Sequence, residues 1–434
     1  MAALHPMHCY ARDLDLNLER RKIMLARPDN DMTTTIEEHP HRLGPLAVLT
    51  YAFRPLFLAA GSWTVVDIAL WLAMFFGDLQ LPTRFEPMAW HIHEMFFGFV
   101  MAVVGGFLLT AIPNWTKRMP VQGRQLALLT GLWLLGRIAC LISAYLPASS
   151  VVVADLSFPA ALLAVATREI LASRNWRNLV MSALLSVFVV ADLLMDLESI
   201  LHMPVFGGLG WRLGLAVPIM LISIIGGRIV PNFTRNWLVK RGSVRLPPAP
   251  GPVDGAAVGL LGAGLVIWAI VPDFRLAGVI LAIAAMLNAW RMARWCGAST
   301  RSEPLLFILH VGYAWVVAGT ALLGLSILNA RIPMPSAIHA LTAGAIGVMI
   351  LAVMPRVTLG HTGRDLTANR ATVLIFVLIN LAAIARVGAS WAPRAMIILL
   401  VSSAACWIAA FGLFEIVYGP MLLAESPRHP ASSA

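Results

Sequence analysis

Histidines inside apolar segments are the residues of this sequence that are best suited to chemistry. An ionisable group in such a segment is costly and usually faces a cavity, a partner or a cofactor. Neutral imidazole is also the commonest metal ligand in proteins. The sequence therefore predicts that some of these side chains bind a metal. Six of the eleven histidines lie within or at the ends of apolar stretches: His91, His93, His202, His310, His339 and His361.

His91 and His93 begin one apolar segment, and His339 begins a later one. Two positions along an α-helix turn by about 200°, so His91 and His93 should point to opposite faces and serve different sites. The alternative is that one is a ligand and the other lies at the membrane interface. Gly98 and Gly344 follow His93 and His339 at the fifth position. A flat ligand or another helix could approach closely there, so ligation by His339 competes with a hydrogen-bonded helix contact.

His310 and His361 are weaker candidates. His310 lies two turns into its segment, where no neighbouring polar residue explains it, and this favours a metal ligand. His361 stands between Gly360 and Gly363, so a role in a turn is as plausible as ligation. His361 follows His339 by 22 residues, or about 33 Å of helix, so the two cannot share a site on a straight helix.

The elements that must position these residues are transmembrane helices. The chain is 59% hydrophobic and only 12% charged, about half the charged fraction of soluble proteins. Runs of about twenty apolar residues predict spanning helices, because hydrocarbon forces backbone groups to bond internally. We predict an all-α polytopic membrane protein with about twelve transmembrane helices. The predicted helices are 53–77, 90–113, 124–146, 151–172, 178–200, 209–231, 253–271, 275–295, 304–328, 336–358, 371–391 and 394–419.

Three Pro-x-x-Thr motifs indicate an internal repeat. They begin at Pro113, Pro231 and Pro355, 118 and 124 residues apart, and each is predicted to end a helix on the same side. A chance recurrence is the alternative, since the motif is short. We predict a transmembrane domain of residues 47–420, built as three units of four helices. These units are 53–172, 178–295 and 304–419.

Basic residues predict the orientation. The net charge is +10, but these residues lie in short loops on one side, which favours the positive-inside rule over nucleic-acid binding. Residues 1–46 are then a cytoplasmic arm without a signal-peptide pattern, and residues 421–434 are a cytoplasmic tail. The basic loops on this side contain Lys117, Arg118, Arg124, Arg174, Arg177, Arg235, Lys240, Arg241, Arg245, Arg301, Arg364 and Arg370.

Several chemistries lack their usual motifs. The four cysteines are scattered and form no CxxC pair, so neither a disulfide framework nor a covalent haem attachment is predicted. No Gly-rich phosphate loop follows a strand, which argues against a nucleotide-driven pump.

Together these segments resemble the NnrS family over residues 45–420. The resemblance implies a bacterial inner-membrane protein with haem b and copper, associated with denitrification and tolerance of nitric oxide. His91, His93, His310, His339 and His361 are carried over as metal or haem ligands because they stand in matching segments. The matching segments are Phe53–Phe57, Trp90–Gly98, Gly106–Thr116, Asn175–Leu179, Gly226–Asn236, His310–Trp315 and His339–Arg364.

Charged residues inside the apolar segments gain candidate roles from this resemblance. Arg137, Arg228 and Arg356 could hold haem propionates, since the planar guanidinium matches a carboxylate. Asp155, Asp192 and Asp196 could carry protons. The competing interpretation is that these residues pair with one another or cap helices. No catalytic residue can be named on this basis.

Three functions compete. The first is a haem–copper redox protein that binds or turns over nitric oxide, in nitrosative-stress defence or denitrification. Whether it is an enzyme, an oxidoreductase like nitric oxide reductase, is left open. The second is a non-enzymatic nitric oxide sensor or metal-handling protein, and the third is a transporter with a histidine-lined path. The expected partners are nitric oxide and membrane lipid, with no nucleic acid and an unidentified electron donor.

Overall fold

Twelve long helices make up the described part of the chain. The computed structural model describes residues 47–203 and 207–425. In these residues twelve helices are long and apolar enough to cross a membrane, and no strand occurs among them, which confirms the predicted fold class. The helices are α1 (Phe53–Phe76), α2 (Pro87–Thr116), α3 (Arg124–Leu141), α4 (Ala148–Ala172), α5 (Trp176–Ser199), α6 (Leu209–Lys240), α7 (Pro252–Ile270), α8 (Arg275–Ala293), α9 (Pro304–Leu328), α10 (Met334–His361), α11 (Arg370–Ala389) and α12 (Pro393–Leu423).

The joining segments are short and use ordinary capping chemistry. Gly77 ends α1 with φ +82°, a left-handed conformation that glycine adopts without a steric cost. Asn369 caps α11, because its side chain accepts a hydrogen bond of 2.8 Å from the Thr372 amide. The predicted arm, residues 1–46, and residues 426–434 of the predicted tail lie outside the described residues.

Only the first repeat motif ends its helix as predicted, because α2 ends at Thr116, whereas α10 continues three residues beyond Thr358 and α6 continues six residues beyond Thr234. Pro113, Pro231 and Pro355 lie inside α2, α6 and α10. The largest error is in α6, which continues to Lys240 and shortens the loop predicted at 232–252. Transmembrane helices tolerate proline because hydroxyl side chains, local readjustment and neighbouring helices satisfy the freed backbone groups.

The threonine of each motif has the same local role. Thr116, Thr234 and Thr358 each donate their hydroxyl to the carbonyl four residues earlier, over 2.8–2.9 Å. That carbonyl belongs to the residue just before the proline. The recurrence is consistent with three related units, whose boundaries stay a prediction. The accepting residues are Ile112, Val230 and Met354.

A π-helical segment interrupts α2, α6 and α10, and only these spans in the described chain. The segments are Glu94–Val100, Ile222–Gly226 and Ala340–Gly347. π-helical turns are rare and are frequent at functional sites. His93 and His339 each stand immediately before such a segment. α2 and α10 are also the most deeply buried spans, so both histidines begin the central part of the protein.

Candidate functional site

One cluster of titratable side chains lies in the core of helices α2–α5. His93 Nε2 is 3.0 Å from Asp155 Oδ2, 3.2 Å from Asp192 Oδ1 and 3.4 Å from Asp196 Oδ1. All four side chains are at most 1% exposed. We call these four residues the His93 cluster. Three carboxylates therefore converge on one ring nitrogen in the interior of a membrane protein.

Helix geometry and small residues bring these groups together. Asp192 and Asp196 are four residues apart on α5, so they share one helix face. Gly210 of α6 lies against the α5 backbone at this point, where a Cβ would be 2.7 Å from the Met195 amide nitrogen. Gly136 of α3 lies similarly against Asp155. Larger residues at the two glycines would push the helices apart and open the cluster.

Arg137 of α3 supplies the cation beside the cluster. Its Nη1 donates to Glu94 Oε2 over 2.7 Å, and its Nη2 pairs with Asp155 Oδ1. Trp63 Nε1 donates to the same Glu94 oxygen over 2.8 Å. Both terminal nitrogens of Arg137 are thus engaged by buried protein carboxylates, so the charge of this predicted propionate partner is already paired.

The His93 cluster and Glu94 together hold more negative charge than Arg137 can balance. Glu94 and the three aspartates share one guanidinium, so three charges lack a cation if all four carboxylates are ionised. Both carboxylate oxygens of Asp192 and of Asp196 lack a hydrogen-bond partner. Their short distances to His93 Nε2 do not change this, because one ring nitrogen carries at most one proton. Buried carboxylates in this arrangement are stable only if some of them are protonated or if they bind a cation.

His91 points away from this cluster, as its position two residues before His93 predicts. Its Nδ1 is 3.2 Å from Asp67 Oδ2 on α1. Its ring stacks on Trp71, with ring centroids 4.6 Å apart. The Asp67 carboxylate is fully buried, whereas the His91 side chain is 15% exposed. Asp67 thus orients the ring through Nδ1, and no described residue bonds to Nε2.

His339 has a similar arrangement at the start of α10. Its Nδ1 lies 2.7 Å from the Pro335 carbonyl oxygen. A carbonyl only accepts, so Nδ1 carries the proton and the Nε2 lone pair is available. His91 and Arg386 of α11 are electrostatic neighbours of His339. His339 thus interacts electrostatically with His91, whereas His93 faces the separate group of carboxylates.

His310 and His361 have other surroundings. His310 Nε2 is 2.9 Å from Thr234 Oγ1. Because that hydroxyl donates to Val230, His310 donates to Thr234 and links α9 to α6. His361 is the last residue of α10 and is exposed, with its ring centroid 5.6 Å from that of Phe53. In the described part of the chain, His93 is the only candidate histidine in a group of converging metal-ligand atoms.

The two remaining arginine candidates lie in the second halves of α6 and α10. Arg228 of α6 is exposed. Arg356 of α10 is half-buried and lies over the Phe233 ring, 4.2 Å from its centroid. A cation in this position is held by the ring quadrupole. Neither arginine is near the candidate histidines by any contact that the structure records.

The predicted site residues did not include four ionisable residues that lie in apolar segments. Asp67, Glu94 and Glu415 are acidic residues in apolar segments, a signal that the hydropathy pattern contains. Glu415 of α12 points at Gly61 of α1, and its Oε1 has no hydrogen-bond partner. Arg386 was missed because it stands near the end of an apolar run, where it resembles a loop residue.

A second missed feature is a polar network between α6, α7, α8 and α9. Arg291 donates to the Tyr313 hydroxyl at 2.8 Å, to the Ser223 carbonyl at 3.1 Å and to Asp254 at 3.0 Å. Tyr313 in turn donates to Asn288 Oδ1 at 2.6 Å. These groups satisfy one another, which indicates a structural role.

An apolar cavity of about 120 Å³ lies between α2, α6, α9 and α10. All its lining residues are apolar, and each of the three π-helical segments contributes to it. Apolar cavities of this size stay dry and accept small uncharged molecules. The lining includes Val100, Val104, Ile222, Ile225, Ile346 and Met349.

The comparison with known families agrees with the resemblance seen in the sequence. The family model described as NnrS protein matches residues 47–426. The match contains all twelve helices, the candidate histidines and the apolar cavity. No curated protein matches the chain. Since the family model covers nearly the whole length, the chain belongs to the NnrS family.

Proposed function

We propose that this protein is a haem- and copper-containing redox protein of a bacterial inner membrane that binds or turns over nitric oxide. Family membership is consistent with a membrane protein related to nitric oxide. The observation that carries the proposal is that His91 and His339, which interact electrostatically, each have Nδ1 engaged and no partner for Nε2 among the described residues. Haem iron with a neutral imidazole ligand binds diatomic gases, and a copper ion bound nearby would add one-electron redox chemistry.

The surroundings of both histidines fit the role of metal ligands. A ligating histidine usually donates its other N–H to a carboxylate or a backbone carbonyl, which fixes the tautomer and raises the ligand basicity. Asp67 serves His91 in this way, and the Pro335 carbonyl serves His339. His93 does not fit as a ligand of haem or copper, because both of its ring nitrogens face carboxylates. Of the two predicted ligands at the start of α2, we therefore keep His91 for this role.

Arg386 replaces the three arginines predicted to hold haem propionates. It lies beside His339, is half-buried, and has no recorded ion pair with a described residue. A guanidinium in this position would bind a propionate with two parallel hydrogen bonds. Arg137 is already occupied, and Arg228 and Arg356 lie elsewhere.

The apolar cavity supports access for nitric oxide. Nitric oxide is small and uncharged, so it enters hydrocarbon and apolar cavities without the desolvation cost of a polar solute. The cavity adjoins the π-helical segments that follow His93 and His339. We propose that the cavity collects nitric oxide from the membrane.

The basic loops support one orientation of the chain. By the positive-inside rule, both termini lie in the cytoplasm.

The test is an optical and EPR spectrum of the purified full-length protein, with and without nitric oxide, together with copper and haem analysis. We expect a noncovalent b-type haem whose bands change on addition of nitric oxide. His91→Ala and His339→Ala should each remove or shift a haem or copper signal. His310→Ala is the matched control and should leave the spectrum unchanged, because the Nε2 of His310 is bonded to Thr234 and its unpartnered Nδ1 faces Gly297.

The outcomes separate the competing functions. Steady consumption of nitric oxide with a reductant supports an oxidoreductase, whereas binding without turnover supports a sensor or a metal-handling protein. A purified protein without haem absorbance contradicts the proposal and favours a transporter. Spectra that are unchanged in both histidine variants contradict the assigned ligands.

A further inference from the structure

We propose that the His93 cluster binds a divalent first-row metal ion with hard, oxygen-rich coordination, Mn²⁺ or Fe²⁺, at a site separate from haem and copper. His93, Asp155, Asp192 and Asp196 supply the ligand atoms. This inference does not depend on the ligands assigned to haem.

The ligand atoms lie where one ion can reach all of them. One atom from each of the four residues falls within 4.8 Å of the others. Metal–oxygen and metal–nitrogen bonds are about 2.0–2.6 Å long, so two ligands of one ion are at most about 4–5 Å apart. The separations of 3.0–3.4 Å between His93 Nε2 and the carboxylate oxygens are typical of adjacent ligands.

Buried, unpartnered oxygens point into the same place. All four carboxylate oxygens of Asp192 and Asp196 are buried without a hydrogen bond. Two buried carboxylates without partners would each cost several kcal/mol as anions. Arg137 cannot serve them, because its terminal nitrogens face Glu94 and Asp155. A divalent cation would neutralise both aspartates and satisfy their oxygens in one step.

The donor set selects the type of metal. Carboxylates suit Mn²⁺ and other hard ions, and imidazole extends the range to Fe²⁺. Similar carboxylate–histidine sites occur in the cores of four-helix bundles, and α2–α5 enclose this cluster in the same manner. Haem does not fit, since the Phe85 and Phe97 rings lie 4.8 and 5.3 Å from the His93 ring. Cu⁺ would require softer ligands than three carboxylates.

Cys140 offers one rival arrangement. Its sulfur, with His93 and Asp155, forms a second group of converging ligand atoms. A thiolate set of this kind suits Zn²⁺. It would leave Asp192 and Asp196 without partners, so the arrangement with three carboxylates is favoured.

The test uses the purified full-length protein and Mn²⁺ as the probe. After chelation and dialysis, the protein should bind one equivalent of Mn²⁺, seen by EPR as loss of the free-ion signal. Asp192→Asn and Asp196→Asn preserve side-chain shape and should each weaken binding more than about tenfold, as loss of a direct ligand requires. Glu415→Gln is the matched control, because it removes an intramembrane carboxylate outside the cluster.

Defined outcomes would overturn the site. One is the absence of any saturable Mn²⁺ or non-haem Fe²⁺ site in the wild-type protein, which would mean that protons neutralise the aspartates. Another is equal affinity in the two asparagine variants and the control. Zn²⁺ binding that is lost in Cys140→Ser but retained in Asp192→Asn would assign the thiolate set instead. If an asparagine variant does not fold, the wild-type titration still decides. Haem absorbance is measured alongside, so loss of this site is distinguished from failure of the haem proposal.

Discussion

Replacing Arg137 by methionine gives the sharpest test of the electrostatics in the core of α2–α5. Arg137 is 3% exposed in its side chain and pairs with two carboxylates that are fully buried. Removing one partner of a buried ion pair costs about 3–5 kcal/mol. Glu94 keeps its bond from Trp63, and Asp155 keeps its contact with His93. We therefore expect Arg137→Met to lower the free energy of unfolding by about 3 kcal/mol, the lower end of that range.

A reversible unfolding titration in mixed detergent micelles, followed by circular dichroism, measures this loss. Arg118→Met is the matched control, since Arg118 also pairs with a glutamate, Glu169, but its side chain is 47% exposed. A pair of that kind contributes at most about 1 kcal/mol. The double variant Glu94→Gln with Arg137→Met should recover part of the loss, because it removes one stranded carboxylate. The reasoning is refuted if Arg137→Met destabilises the protein no more than Arg118→Met.

Three further predictions test other parts of the structure. Asp67→Asn weakens the hydrogen bond that orients His91 and should lower the affinity for the metal bound by His91 about 10–100-fold. Competition with a chelator measures this affinity, and an unchanged value would show that His91 is not a ligand. Val104→Phe fills part of the apolar cavity and should slow nitric oxide binding several-fold after flash photolysis while the static spectrum stays the same. Thr234→Val strands the buried Nε2 donor of His310 and should cost about 1–3 kcal/mol of unfolding free energy without changing metal content.

The fold could be predicted because hydrocarbon imposes a simple rule on the sequence. A spanning helix needs about twenty apolar residues, and composition alone reveals such runs. The predicted span 304–328 matches α9 at both ends. The error at Pro231 has a local cause, since proline normally ends a helix in water. Membrane packing lets α6 continue for nine residues beyond it.

The candidate sites were less predictable, because they depend on which helices become neighbours. Helical spacing correctly indicated that His91 and His93 face different ways. It could not indicate that Asp67 would meet His91, or that Asp155 and Asp192 would meet His93. Those contacts join residues between 24 and 99 positions apart in the sequence. The periodicity of one helix contains no information about the partner helix. The sequence therefore suggested that the aspartates carry protons, but it did not indicate that they converge on His93.

The arrangement of α2 explains why two adjacent histidines can serve different chemistry. His91 faces Asp67 of α1 and interacts electrostatically with His339, and its Nε2 has no partner among the described residues. His93 faces α4 and α5, where carboxylates surround Nε2 at 3.0–3.4 Å. The π-helical segment that begins at Glu94 changes the helical turn immediately after both histidines. It allows the first turn of α2 to be set by these side-chain contacts while the rest of the helix packs around the apolar cavity. The same helix thus holds His91, whose Nε2 has no partner among the described residues, and His93, whose Nε2 is surrounded by carboxylates.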